Sequence, residues 1–201
     1  TIDITSKVTV SGLETIKTTK DQTAIVNANL VDAQTFAIKA DGTSAGTTSV
    51  FKVMGLSTTA TIDLSGLKID QSITSAINSV VVDASANTTT AQTIKGTAIA
   101  DTITGGDKAD TITAGNGADT ITGGKGNDVI DITEATSDQA ADTVRMIAKA
   151  NNGTDSITGF KSGTDKLSLL GGTESTVVTA AGPAVVDFFS AALVSSAATY
   201  T

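Results

Sequence analysis

Four aspartates recur at nine-residue intervals in the middle of the chain: Asp101, Asp110, Asp119 and Asp128. An isoleucine follows each of them two positions later, and the five residues before each aspartate include one to three glycines. Carboxylates beside glycine-rich turns are suited to binding a divalent cation, because Ca²⁺ takes its oxygen ligands from carboxylates and backbone carbonyls together. The spacing therefore indicates a repeated cation-binding turn.

The repeat unit is nine residues long. It occurs four times without interruption over residues 96–131, as GTAIADTIT, GGDKADTIT, AGNGADTIT and GGKGNDVID. Residues two positions apart on a strand share one face, but Asp and Ile require opposite environments. We therefore place each Asp in a turn and each Ile in a very short strand. The glycines allow the tight backbone that such a turn needs.

One such strand cannot bury its isoleucine, whereas stacked units bury a ladder of isoleucines inside a narrow coil. Successive turns then lie on opposite sides of the coil, so that Asp101 stacks over Asp119 and Asp110 over Asp128. Stacked carboxylates repel one another unless a cation lies between them, and Ca²⁺ tolerates irregular coordination better than Mg²⁺. The alternative is a metal-free solenoid in which the aspartates only cap turns.

This segment resembles the RTX nonapeptide G-G-x-G-x-D-x-U-x, a calcium-binding β-roll repeat. Only the fourth unit has all three glycines, since Thr97 and Ile99 replace two of them in the first unit. Lys108 and Ala114 each replace one, in the second and third units. The resemblance implies that the four aspartates bind Ca²⁺ together with the turns. The candidate turn residues are Gly105, Gly106, Lys108, Gly115, Gly117, Gly123, Gly124 and Gly126.

The stretch before the repeats consists of short runs, rich in Val, Ile and Thr, in which apolar and polar residues alternate. Runs of this kind, bounded by Gly, Asp, Asn or Ser, predict β-strands and turns. They fit the rungs of a solenoid as well as the strands of a sandwich. The pattern resumes at 155–171, and a helix is predicted near 183–195, where Pro183 can occupy its first position.

The sequence thus predicts an all-β fold in three segments. Residues 1–95 form a β-rich segment, residues 96–134 a calcium-binding parallel β-roll, and residues 135–201 a C-terminal β segment with one short helix. No long apolar run is present, so we predict no membrane insertion.

The composition excludes several functions. The chain of 201 residues has no Cys and no His, which rules out disulfides, Cys/His zinc sites and histidine-based catalysis. Its net charge of −8 argues against nucleic acids and anionic membranes as partners. The stretch GTSAG at 42–46 fits a nucleophile elbow, but no histidine exists to activate Ser44. We therefore predict that the chain is not an enzyme.

Three stretches outside the repeats carry a second resemblance: VSGLETIKTT (10–19), VVVDASANTTTAQTIKGT (80–97) and NGTDSITGFKSGTDKLSL (152–169). Together they resemble the lattice-forming part of surface-layer (S-layer) proteins of Gram-negative bacteria. The resemblance implies export by type I secretion machinery, Ca²⁺-dependent folding at the cell surface, and self-association into a two-dimensional lattice. Asp155 and Asp165, in the last stretch, are either a further calcium site or ordinary turn aspartates.

Two other functions remain open. Because the chain begins at Thr1 rather than Met, we expect it to be a piece of a longer protein. A zinc motif or a catalytic triad upstream would make it the carrier region of a secreted protease or lipase. Upstream tandem repeats would make it part of a large RTX adhesin. Any attachment to cell-surface polysaccharide would use a region outside this chain.

Overall fold

Short β-strands and the turns between them make up almost all of the part of the protein that the computed structural model describes. The described residues are 2–4, 15–19, 23–28, 37–41, 49–54, 60–69, 77–135, 140–147 and 153–169. The helix predicted near 183–195 lies outside them. Within these ranges, no helix is long and apolar enough to cross a membrane.

Eight strands lie within the described parts of residues 2–83, and the first six of them lie where the alternating runs predict strands. They are β1 (Ile2–Ile4), β2 (Thr15–Thr19), β3 (Thr23–Asn27), β4 (Ala37–Asp41), β5 (Ser49–Met54), β6 (Thr61–Asp63), β7 (Lys68–Ile69) and β8 (Ile77–Asp83). The remaining strands are β9 (Thr93–Lys95), β10 (Asp101–Thr104), β11 (Thr111–Thr113), β12 (Thr120–Thr122), β13 (Val129–Asp131), β14 (Thr143–Met146), β15 (Ser156–Thr158) and β16 (Lys166–Leu169).

The strands form three parallel sheets. The largest has the order β1-β3-β5-β8-β10-β12-β14-β16, the second β15-β13-β11-β9-β6, and the third β2-β4-β7. Successive nonapeptide strands alternate between the first two sheets, so each pairs with the strand two units further on. Ile103 pairs with Ile121 in one sheet, and Ile112 with Ile130 in the other. This is a parallel β-roll, which confirms the predicted all-β fold.

The eight-stranded sheet continues from the N-terminal strands into the nonapeptide units and beyond them. The pairs β1–β3, β3–β5, β5–β8 and β8–β10 are all parallel. Of the two arrangements left open for the N-terminal runs, the structure therefore has stacked solenoid rungs. The sheet includes strands from each of the three segments proposed from the sequence.

Apolar ladders between the sheets form the core. Ile103 is flanked in its sheet by Val82 and Ile121, and all three side chains are fully buried. In the five-stranded sheet the ladder consists of Ile62, Ile94, Ile112, Ile130 and Ile157, all fully buried. Burying an isoleucine contributes roughly 1.5–3 kcal/mol. Stacking therefore gives each three-residue strand a core that it cannot form alone.

Candidate metal centre

Seven buried aspartates form two columns in the roll. The first column consists of Asp101, Asp119, Asp142 and Asp165. The second column consists of Asp110, Asp128 and Asp155. In each column the carboxylate Oδ1 accepts a hydrogen bond of 2.7–3.1 Å from the backbone N–H of the preceding aspartate. Each aspartate is at most 2% exposed, so the columns are carboxylate-rich and almost dry.

The four aspartates of the repeat lie in these columns with the neighbours that the sequence predicts. Asp101 is next to Asp119, and Asp110 is next to Asp128. Asp155 and Asp165 are not brought together, because Asp155 extends the second column and Asp165 ends the first. They therefore do not form one joint site with each other. That any of these aspartates is a calcium ligand stays a prediction.

Asp142 belongs to the first column and was not among the predicted site residues. It lies 23 residues after Asp119, whereas the nonapeptide columns advance by 18. The nine-residue register is lost after position 131, which hides it. The signal that identifies it is the short pattern of an aspartate, any residue and an apolar residue. Asp142 and Val144 repeat the relation of Asp101 to Ile103.

Four turns lead into the nonapeptide strands, each defined to end at its aspartate: the first turn (96–101), the second (105–110), the third (114–119) and the fourth (123–128). Contrary to the expectation that every aspartate lies outside the strand, Asp101 is also the first residue of β10. Glycines with positive φ occur in only two of these turns. The values are 110° and 109° at Gly115 and Gly117, and 110° and 114° at Gly124 and Gly126. Such a φ suits glycine because it has no Cβ. The third and fourth turns thus share one left-handed conformation.

Close contacts at several of the glycines explain why the turns are narrow. A Cβ on Gly123 would collide with Oδ2 of Asp128, and one on Gly115 with the carbonyl oxygen of Thr97. A Cβ on Gly105 would lie 2.6 Å from Oδ2 of Asp110. Lys108, which occupies a glycine position of the second turn, is exposed. Glycines are therefore required where the backbone passes a carboxylate or the neighbouring turn.

The second carboxylate oxygen divides the four turns into two pairs. In the first turn, Oδ2 of Asp101 accepts a hydrogen bond of 2.6 Å from the Thr97 N–H. In the second turn, Oδ2 of Asp110 accepts one of 2.7 Å from the Gly106 N–H. In the third and fourth turns, Oδ2 of Asp119 and of Asp128 is buried and has no hydrogen-bond partner. Buried carboxylate oxygens without partners are costly unless a cation binds them.

The pKa values of these carboxyl groups reflect the dry surroundings. Burial raises the pKa of Asp101 to about 7 against the opposing hydrogen bonds from Thr97. Burial, and then repulsion from Asp101, Asp142 and Glu134, raises the pKa of Asp119 to about 9. Burial likewise raises the pKa of Asp128 and of Asp142 to about 7. Without a cation, the ionised columns are therefore strongly disfavoured at neutral pH.

The residues present fit a calcium ion. Within the described ranges, no three acidic side chains converge closely enough to hold a metal by themselves. Most ligands must therefore be backbone carbonyls of the turns, which is the ligand mixture that Ca²⁺ accepts and zinc does not. The partner-free Oδ2 atoms of Asp119 and Asp128 are the charged oxygens that such an ion would neutralise.

Comparison with known proteins agrees with this chemistry. A family model described as the RTX calcium-binding nonapeptide repeat matches residues 95–130, with four copies. No curated protein and no solved structure matches the chain. The chain therefore carries RTX calcium-binding repeats, and its cofactor is Ca²⁺. The match covers the four units and leaves both flanks outside it.

Proposed function

We propose that the chain is part of a secreted structural protein that binds Ca²⁺ and self-associates into a two-dimensional bacterial surface layer. The observation that supports this most is the continuous eight-stranded sheet, in which the calcium-binding units share their rungs with the segments on both sides. In such an arrangement calcium stabilises the flanking β segments as well as the roll. The S-layer-like stretches lie in those flanks, at 10–19, 80–97 and 152–169.

Calcium would act here as a folding switch. The buried carboxylates are disfavoured when ionised, so an unbound chain at neutral pH pays a charge penalty to fold. A metal that binds only the folded state adds its binding free energy to folding. The chain would stay loose where Ca²⁺ is scarce and fold where Ca²⁺ is plentiful. This behaviour suits passage through type I secretion machinery before folding outside the cell.

The lattice is the part of the proposal that concerns contacts between copies. Each copy carries a net charge of −8, so neighbouring copies repel one another. Calcium ions between copies would screen this repulsion and permit close contact. In this role the chain has no catalytic activity of its own, and its partners are other copies of itself.

A calcium titration of this chain tests the proposal. Circular dichroism reports the β signal, light scattering reports the particle size, and electron microscopy reports two-dimensional order. We expect folding and ordered sheets to appear together at millimolar-scale Ca²⁺, the range of weak extracellular sites, and to reverse on chelation.

The variant Asp119→Asn/Asp128→Asn is the matched control, and neither its β signal nor its particle size should respond to the calcium concentration that suffices for the wild type. A wild-type chain that folds with Ca²⁺ but stays monomeric would contradict the lattice. That result would favour the carrier region of a secreted enzyme, or a piece of an adhesin.

A further inference from the structure

Asp101 is enclosed by its own turn. Its Oδ2 accepts hydrogen bonds from the N–H and the hydroxyl of Thr97, at 2.6 and 3.2 Å, and its Oδ1 accepts one from the same hydroxyl at 3.0 Å. Both Asp101 and Thr97 are buried, at 1% and 5% exposure. Thr97 stands where the nonapeptide has its second glycine. One threonine thus supplies donors to both oxygens of this carboxylate.

Asp110 is enclosed in a related way. Its Oδ1 accepts a hydrogen bond of 2.8 Å from the Gln92 N–H, and its Oδ2 accepts one of 2.7 Å from the Gly106 N–H. Gly106 is not among the glycines with positive φ, and Lys108 occupies the other glycine position of this turn. The amide of Gly106 therefore points at the carboxylate. No side-chain donor is needed to close the second turn.

The third and fourth turns lack this closure. Both have glycine at the second and fourth positions of the unit, and all four of these glycines have a φ near +110°. In both, Oδ2 of the aspartate is buried without a hydrogen-bond partner. The turns that have glycine at both positions are therefore the turns whose aspartate has an oxygen without a partner. The turns that lack one or both of these glycines are the ones whose aspartate is enclosed by donors.

We propose that only the third and fourth turns give a carboxylate to calcium, through Asp119 and Asp128, and that Thr97 withholds Asp101 from it. This inference takes calcium binding by the repeats as given and assigns the aspartates unequal roles. Asp101 and Asp110 are structural: internal donors bond both oxygens of each carboxylate. The four near-identical units would then supply two charged ligands and not four.

Four single variants of the full chain test this division: Asp101→Asn, Asp119→Asn, Asp110→Asn and Asp128→Asn. Asparagine keeps the size of the side chain and removes its charge. In calorimetric titrations with CaCl₂ at pH 7.5, we expect Asp119→Asn and Asp128→Asn each to bind one ion fewer than the wild type. Asp101→Asn and Asp110→Asn should keep the wild-type number of ions. If Asp101→Asn loses an ion as Asp119→Asn does, the two aspartates share a site and the proposal is wrong.

The melting temperature is a second readout, which separates a lost ligand from a weakened fold. Asp101→Asn should leave the rise in Tm between limiting and saturating calcium unchanged, because it removes no calcium ligand. Asp119→Asn should instead reduce the rise in Tm that calcium produces, since that rise reports binding to the folded state. An equal reduction of the rise in both variants would overturn the proposal.

A gain-of-binding variant completes the test without removing any carboxylate. Thr97→Gly/Ile99→Gly gives the first turn the complete glycine pair and removes the hydroxyl that bonds Asp101. We expect this variant to bind one more calcium ion than the wild type, and Asp101→Asn in the same background to abolish the gain. An unchanged number of ions would show that Thr97 does not control the first turn.

Discussion

In the absence of calcium, the free energy of unfolding of the roll should decrease as the pH rises above about 5. The carboxyl groups of Asp101 and Asp119 have pKa values of about 7 and about 9 in the folded protein, against 3.8 for an unperturbed aspartate. A raised pKa means that the folded state holds its protons more tightly than the unfolded state does. The stabilising effect is fully present below pH 3.8 and is lost as the pH rises through the folded-state pKa.

The size of the effect follows from the linkage relation. One pKa unit corresponds to about 1.4 kcal/mol. The ionisation of Asp101 alone should therefore lower the free energy of unfolding by about 2 kcal/mol between pH 5 and pH 7. Asp119 should continue to lower the stability above pH 7, up to its pKa of about 9. A domain of ordinary stability has about 5–15 kcal/mol in total. A loss of this size is therefore readily measured.

The assay is urea unfolding followed by circular dichroism between pH 5 and pH 8. Calcium should be removed with a chelating resin, because soluble chelators bind Ca²⁺ poorly at pH 5. We expect the urea midpoint to fall with pH, saturating calcium to reverse the fall at pH 8, and Asp119→Asn to flatten it. Asp107→Asn, which alters a partly exposed carboxylate, is the control and should keep the slope. A midpoint in calcium-free buffer that is flat or rises with pH would refute this reasoning.

Three further substitutions test the packing around the columns. Ile112→Ala, at a fully buried rung, should cost about 2–5 kcal/mol in urea unfolding with saturating calcium; a loss below 1 kcal/mol would contradict a packed ladder. Gly126→Ala should destabilise the protein more than Gly163→Ala does. Both glycines have a positive φ, but only at Gly126 would a Cβ meet backbone, 2.6 Å from the Lys108 carbonyl carbon. Equal losses of stability would argue against close stacking of the turns. Lys161→Met should lower Tm at pH 7 more than Lys125→Met does. Lys161 forms an ion pair of 2.9 Å with the buried Glu134, whereas the partner of Lys125 is the partly exposed Asp107. Equal shifts in Tm would contradict this difference.

The strands and the roll were predictable because their cause is local and repeated. Apolar residues at every ninth position can all be buried if the short strands stack into a ladder. The isoleucines of the four units are all buried in this way: Ile103, Ile112, Ile121 and Ile130. The alternating runs before the repeats also predicted six strands, β1 to β6, but not β7 and β8. They did not decide between solenoid and sandwich, since that choice depends on pairing between distant rungs such as β5 and β8.

The division among the aspartates was not predictable from the motif. Asp101 and Asp119 have the same neighbours in sequence, Ala before and Thr-Ile-Thr after, yet one is enclosed and the other has an oxygen without a partner. The difference arises from backbone φ at the glycine positions and from the Thr97 hydroxyl. Asp142 was missed for another reason, since residues between the rungs broke the nine-residue spacing while the stacking continued.

The most direct test of the account is to count calcium ions on the wild-type chain and on Asp119→Asn/Asp128→Asn by native mass spectrometry at pH 7.5. The wild type should bind at least two ions, and the double variant should bind two fewer and lose its calcium-induced rise in Tm. If the double variant binds as many ions as the wild type, the partner-free carboxylate oxygens are not where calcium binds.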